Sequence, residues 1–148
     1  MSRVQISSLS FLIILMIQVQ SILKVGDNSG AKTAKCIKVL AKSSNSHKDF
    51  ASIGDAILVS VRSVRKNLSN SNLKKKVQKG QIYKAIVIRT KKGISSRKTG
   101  HSLSFDSNEI VLLNNQDNLI GSRIFGPITR EIRALNYRRL MSQSKKLL

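Results

Sequence analysis

Five cationic side chains, Arg89, Lys91, Lys92, Arg97 and Lys98, crowd into one short stretch, and no acid follows until Asp106. Cations at that density suit phosphate binding: each Lys or Arg that meets a phosphate releases condensed counterions and fixes the register of the polyanion. The stretch follows a continuous apolar run, Ala85-Ile86-Val87-Ile88. After Gly100 the chain returns through Leu103 and Phe105 to a second run, Ile110-Val111-Leu112-Leu113. That pattern predicts a core strand that leaves its sheet, forms a projecting basic β-hairpin and re-enters the sheet. On this reading Arg89 and the four cations after it lie beyond the buried run and face solvent.

Two further basic clusters stand apart from the apolar runs. Arg62 to Lys79 holds seven Lys or Arg and no acid, among them Arg65, Lys66, Lys74, Lys75 and Lys76, and Arg123 to Lys146 holds another seven. Over the whole chain 27 Lys and Arg face 7 Asp and Glu, a formal charge of +20. A body of this size repels itself at that charge, so a polyanionic partner is expected. Nucleic acid comes first and an anionic membrane surface second. Charge gathered on loops and tail, with apolar residues in strands, describes a folded scaffold with a basic footprint, unlike a disordered basic tail.

No catalytic constellation accompanies these cations, and no enzymatic activity is expected. The acids Asp27, Asp49, Asp55, Asp106, Glu109, Asp117 and Glu131 are scattered, without a nucleophile–base pairing or a phosphate-loop pattern. His47 and His101 are far apart, and Cys36 is the only cysteine, so neither a metal site nor a disulfide framework is expected, and no cofactor. Cys36 reads as a small buried hydrophobe. Aromatic residues make up 4% of the chain, and Phe50, Tyr83, Phe105, Phe125 and Tyr137 are isolated, mostly where core residues belong. Recognition of RNA by shape, phosphate and 2′-OH therefore fits better than stacking of splayed bases.

The elements that must position the cations follow from periodicity and punctuation. Ile17-Gln18-Val19-Gln20 alternates and reads as a first strand running on through Ile22 and Leu23. Gly26-Asp27-Asn28-Ser29-Gly30 makes a turn; its backbone N–H groups can face a phosphate, or the turn can simply connect strands. Ala34 to Leu40 is the second strand, Lys42 to Ser52 a polar loop, and Gly54-Asp55 leads into a third strand with Ile57, Val59 and Val61 on one face. Arg62 to Lys79 reads as a long basic loop and Lys79-Gly80 as the turn into the central strand. Gly126-Pro127 ends the β region, after which Ile128, Ile132 and Leu135 recur at helical spacing and a second short helix takes in Tyr137 to Met141. The expected fold is mainly β: a small five-stranded β-barrel, one domain over residues 16–148, with short C-terminal α-helices from about residue 127. Met1 to Leu15 reads as an extension, either an organellar targeting segment or a stretch that packs or frays. Its apolar run, Phe11 to Ile17, is too short to span a bilayer.

Several separated blocks resemble the universally distributed large-subunit ribosomal protein fourteen family, from about Met16 to Ser142. They are Leu23-Lys24-Val25 with Asp27-Asn28-Ser29-Gly30-Ala31; Cys36 to Leu40; Gly54-Asp55; Lys79-Gly80; Ala85 to Gly93; Phe105-Asp106 with Asn108; and Arg123-Ile124-Phe125-Gly126-Pro127 with Arg130-Glu131 and Arg133. The chain departs from the family at Thr99, where Asp, Asn or Ser is usual, and at its C-terminus, where lysines replace an acid. The resemblance implies a structural constituent of the large ribosomal subunit that binds large-subunit rRNA at the intersubunit face and contributes to bridges with small-subunit rRNA. It also implies ribosomal proteins three and, by bacterial analogy, nineteen as neighbours, and a ribosome-silencing factor docking at Ser122, Arg123, Arg139 and Ser142. The rRNA-binding candidates are Lys24, Asn28, Ser29, Lys32, Arg65, Lys66, Lys74, Lys75, Lys76, Arg89, Lys91, Lys92, Arg97, Lys98, Arg130 and Arg133. Low Gly and Pro, with abundant Ser, Lys, Ile and Asn, point to a mitochondrial ribosome, with plastid and bacterial cytoplasm as alternatives. The competing function is a free-standing barrel that binds single-stranded nucleic acid.

Overall fold

The computed structural model describes residues 16–40, 50–65, 77–92, 100–135 and 137–148. Five strands close a barrel: β1 (Ile22–Val25), β2 (Ala31–Leu40), β3 (Ala56–Val64), β4 (Ile82–Arg89) and β5 (Glu109–Leu113). Neighbours from β1 to β5 pair antiparallel in sequence order, and β1 closes the ring by pairing parallel with β5 through Lys24↔Glu109 and Val25↔Ile110. Closure removes the open edges that a sheet this small would otherwise expose.

The strands carry two kinds of apolar pattern, and the packing explains both. In β3 the period is two: Ile57, Val59 and Val61 point inward and their neighbours are partly exposed. In β4 and β5 the apolar run is continuous because both faces are covered. Ala85, Val87, Ile110 and Leu112 fill the barrel interior with Leu23, Val25, Ala34 and Cys36. Ile86, Ile88, Val111 and Leu113, on the outer face, form a second core with Ile124, Ile128, Ile132 and Leu140 from the C-terminal segment. The C-terminal segment is therefore bound to the barrel by the outer half of the two apolar runs. Cys36 is free and buried, and burial raises its thiol pKa against a backbone hydrogen bond from Lys38.

Several boundaries differ from the sequence-based expectation. The first strand begins at Ile22, since Gln20 adopts a φ of 76° and Ser21 N–H bonds back to Gln18 O at 3.1 Å, so the residues before it form a turn. Ile17 is still fully buried, bridging to Ala51. Both β2 and β3 are longer than expected, taking in Ala31 to Thr33 and Arg62 to Val64. The expected helix after Gly126 is broken up. Pro127–Ile128 forms a short strand, β6, parallel to β7 (Lys146–Leu147), because the tail hydrogen-bonds there: Leu148 N–H to Ile128 O at 2.9 Å and Arg130 N–H to Leu148 O at 3.0 Å. A 3-10 helix (Arg130–Leu135) and one α-helix, α1 (Arg138–Gln143), follow. Ile128 and Ile132 are buried as their spacing implied, but extended and 3-10 backbone bring them inward in place of a regular helix. The tip of the expected hairpin, residues 93–99, lies outside the described residues.

Candidate nucleic-acid interface

One end of the barrel gathers four pieces of chain. The loop after β1 is fixed by Asp27, which is buried and accepts from Ser29 N–H at 2.8 Å and from Leu112 N–H at 2.9 Å. Burial raises the Asp27 pKa, opposed by hydrogen bonds from Ser29 and Leu112 and by the charge of Arg65. The same loop is laced to the segment before β6: Asn28 N–H donates to Arg123 O at 3.0 Å, and Phe125 N–H to Gly26 O at 2.8 Å. Gly121 makes the approach possible, since a Cβ there would stand 3.0 Å from the Asp27 Cβ. Finally Arg65 N–H donates to Gly30 O at 2.9 Å, bringing the end of β3 to the same rim.

These tethers build an open cleft of about 470 Å³, lined by Lys24, Lys32, Arg65 and Arg89 with Val25, Gly26, Thr33, Glu109, Phe125 and Gly126. Lys24, Lys32 and Arg65 are exposed. Lys24 comes from β1, Lys32 from β2 and Arg65 from just beyond the end of β3, a grouping that no single sequence cluster shows. Phe125 stands at the rim, 37% exposed, with the Arg65 guanidinium 5.4 Å and that of Arg123 5.9 Å from its ring centroid. Phe125 is thus no core residue, contrary to the expectation drawn from its isolation. Its main chain is held from both sides, which leaves the ring to project.

Arg89 also departs from expectation. It is the last residue of β4 and only 7% exposed, so it does not belong to a solvent-facing arm. Its guanidinium pairs with Glu109, to which it is opposite in the β4–β5 register, and donates to the carbonyls of Phe125 and Pro127, the latter at 2.8 Å from Nε. Glu109 is held in turn by Ser107 Oγ at 2.7 Å. Arg89 is therefore an internal clamp between barrel and C-terminal segment. A guanidinium with three acceptors in a fixed fork is well suited to this task.

The other candidates divide among several places. Asn28 is exposed on the loop, whereas Ser29 is buried at 6%. Lys91 and Lys92 are exposed on the turn after β4, where Lys91 N–H donates to Asn108 Oδ1 at 2.8 Å. Arg130 and Arg133 are exposed on the 3-10 helix. Ser122, Arg123, Arg139 and Ser142 are all exposed, and Ile124 N–H to Gln143 O at 3.3 Å holds the 122–124 stretch against the end of α1. Arg139 donates to Asn118 Oδ1 at 2.6 Å and Ser142 Oγ to Arg139 O at 2.9 Å. Lys66, Lys74, Lys75, Lys76, Arg97 and Lys98 lie outside the described residues. Among the described residues no group of His, Cys, Asp and Glu is arranged to hold a metal ion, and no helix is long and apolar enough to cross a membrane.

Lys24, Lys32, Arg65 and Arg89 are all rRNA-binding candidates by sequence; that they line one cleft with Phe125 at its rim is not legible there, because they are far apart along the chain. The cluster of short polar and glycine residues at 26–30 was the available signal that a rim lay there. A family model described as ribosomal protein L14p/L23e matches residues 16–148, which takes in every described strand, the cleft and the C-terminal segment. A closed five-stranded barrel, a cationic rim and a match over all but the first fifteen residues agree, and the chain belongs to the ribosomal protein L14p/L23e family.

Proposed function

We propose that the chain holds large-subunit rRNA at the intersubunit face, with the barrel rim as the phosphate-binding surface and the C-terminal segment turned toward the small subunit. Family membership makes the chain a ribosomal protein that binds rRNA in the large subunit and serves translation. The observation that carries the finer reading is the convergence of Lys24, Lys32 and Arg65 on one rim, which Asn108 ties to the basic turn at Lys91 and Lys92 by accepting from the backbone N–H groups of both Lys24 and Lys91. Fixed cations of this kind position an A-form backbone by shape and charge. The exposed group Ser122, Arg123, Arg139 and Ser142 supports a second surface, adjoining the rim at Arg123, for bridge contacts or a ribosome-silencing factor, with neighbouring ribosomal proteins three and nineteen beside it. A mitochondrial ribosome is the proposed setting, on composition.

Incorporation at graded salt tests this. Charge-neutralised variants Lys24→Gln with Lys32→Gln, and separately Arg139→Ala with Ser142→Ala, are expressed in cells and followed on sucrose gradients. The rim variant should leave the large subunit at lower salt than wild type. The second pair should incorporate normally and reduce subunit joining. Normal incorporation of the rim variant at every salt concentration contradicts the assignment of the rim.

A further inference from the structure

We infer that Phe125 and the guanidinium groups beside it form a stacking seat for one unpaired nucleotide, within the rRNA-binding rim proposed above. The inference rests on that reading and adds to it a base-recognising element.

Phe125 combines an anchored main chain with an exposed side chain, in a chain with only four Phe and two Tyr. Its N–H is held by Gly26 O, its carbonyl accepts from Arg89, and Gly126 follows with a φ of +79°. A ring that served only to fill space would be expected to turn toward the second core, whose apolar residues Ile88 and Ile124 are near in sequence or across the clamp. The ring lies at the cleft instead, with Arg65 and Arg123 within cation–π range. The carboxylate lining the cleft, Glu109, is taken up by Arg89 and Ser107, so the field there is set by Lys24, Lys32 and Arg65.

A ligand matching this seat needs a flat π-face for the ring or a guanidinium, and anionic groups within reach of lysines on two strands. An extruded nucleotide has both. Every base has a π-face, so the seat should tolerate any base and demand only that it be unpaired. Base–aromatic stacking of the usual strength gives a preference of about 5- to 150-fold over a fully paired duplex.

The test uses the purified full chain and two synthetic RNA hairpins, one fully paired and one carrying a single bulged 2-aminopurine. Affinity is measured at graded salt together with 2-aminopurine fluorescence. Wild type should prefer the bulged hairpin by at least about 5-fold and change its fluorescence. Phe125→Leu should lose both effects while keeping the salt dependence on the paired hairpin, and Phe125→Trp, which retains a π-face, should keep both. Equal affinity of wild type for the two hairpins with salt dependence intact overturns the stacking seat and leaves the rRNA reading standing. Absence of salt-dependent binding to either hairpin overturns the rRNA reading and the seat with it.

Discussion

Replacing Arg89 by Ala should destabilise the fold more than any other single charge removal among the described residues of the basic surface. The side chain is 8% exposed and its Glu109 partner 17%, so both charges lie largely out of water. Among the described residues, removing the guanidinium leaves Glu109 with only Ser107 as a side-chain hydrogen-bond donor, and deprives the Phe125 and Pro127 carbonyls of the donors they have in Arg89. Breaking a buried ion pair from one side costs about 3–5 kcal/mol, and each abandoned carbonyl adds up to about 1–3 kcal/mol where water does not reach it. Partial relaxation and solvent entry at the cleft offset some of this, so about 3–5 kcal/mol is the expected total. Exposed Lys91→Ala is the control, expected within about 0.5 kcal/mol of wild type. Urea denaturation of the purified chain, followed by far-ultraviolet circular dichroism, reads both. Raising salt should shrink the Arg89→Ala cost little, because buried pairs are weakly screened. A cost for Arg89→Ala no larger than that for Lys91→Ala would refute the clamp and return Arg89 to the solvent-facing arm.

Gly126→Ala should cost about 1–3 kcal/mol in the same assay, since Gly126 has a φ of +79° and a Cβ there would lie 2.6 Å from Arg89 Nη2. Its cost should be smaller in an Arg89→Ala background, and strict additivity would argue against the contact. Leu112→Ala, a truncation inside the fully buried barrel interior, should cost about 2–5 kcal/mol while leaving the salt dependence of RNA binding unchanged. Asp27 gives a pH test: burial raises its folded-state pKa above the ordinary 3.8, so its favourable contribution is complete below that value and is lost as pH rises through the folded pKa. The stability difference between wild type and Asp27→Asn should therefore decline as pH rises through that window, and a difference that grows instead would contradict the sign.

Much of the barrel was legible in the sequence because its signals are local. The alternation of Ile57, Val59 and Val61 and the continuous runs at 85–88 and 110–113 each name a strand. The runs also carried the information that β4 and β5 are covered twice, once by the barrel and once by the C-terminal segment. What escaped detection depended on pairing between distant residues. Arg89 reads as the first cation of an arm until Glu109 is placed opposite it across β4 and β5. Phe125 reads as core until the loop at 26–28 claims its backbone and leaves the ring outside. The helical spacing of Ile128 and Ile132 was real, yet an extended segment followed by a 3-10 turn satisfies the same burial once the tail pairs with Ile128.

Cross-linking of rRNA to protein in intact large subunits reads out whether the barrel rim holds rRNA. Short ultraviolet irradiation, followed by nuclease digestion and mass spectrometry, identifies the peptides joined to nucleotides. Cross-links should concentrate on the peptides carrying Lys24, Lys32, Arg65 and Phe125, with one nucleotide attached at Phe125 itself. Cross-links confined to the exposed side of β4 around Ile82, with the rim peptides clean, would contradict the assignment of the rim.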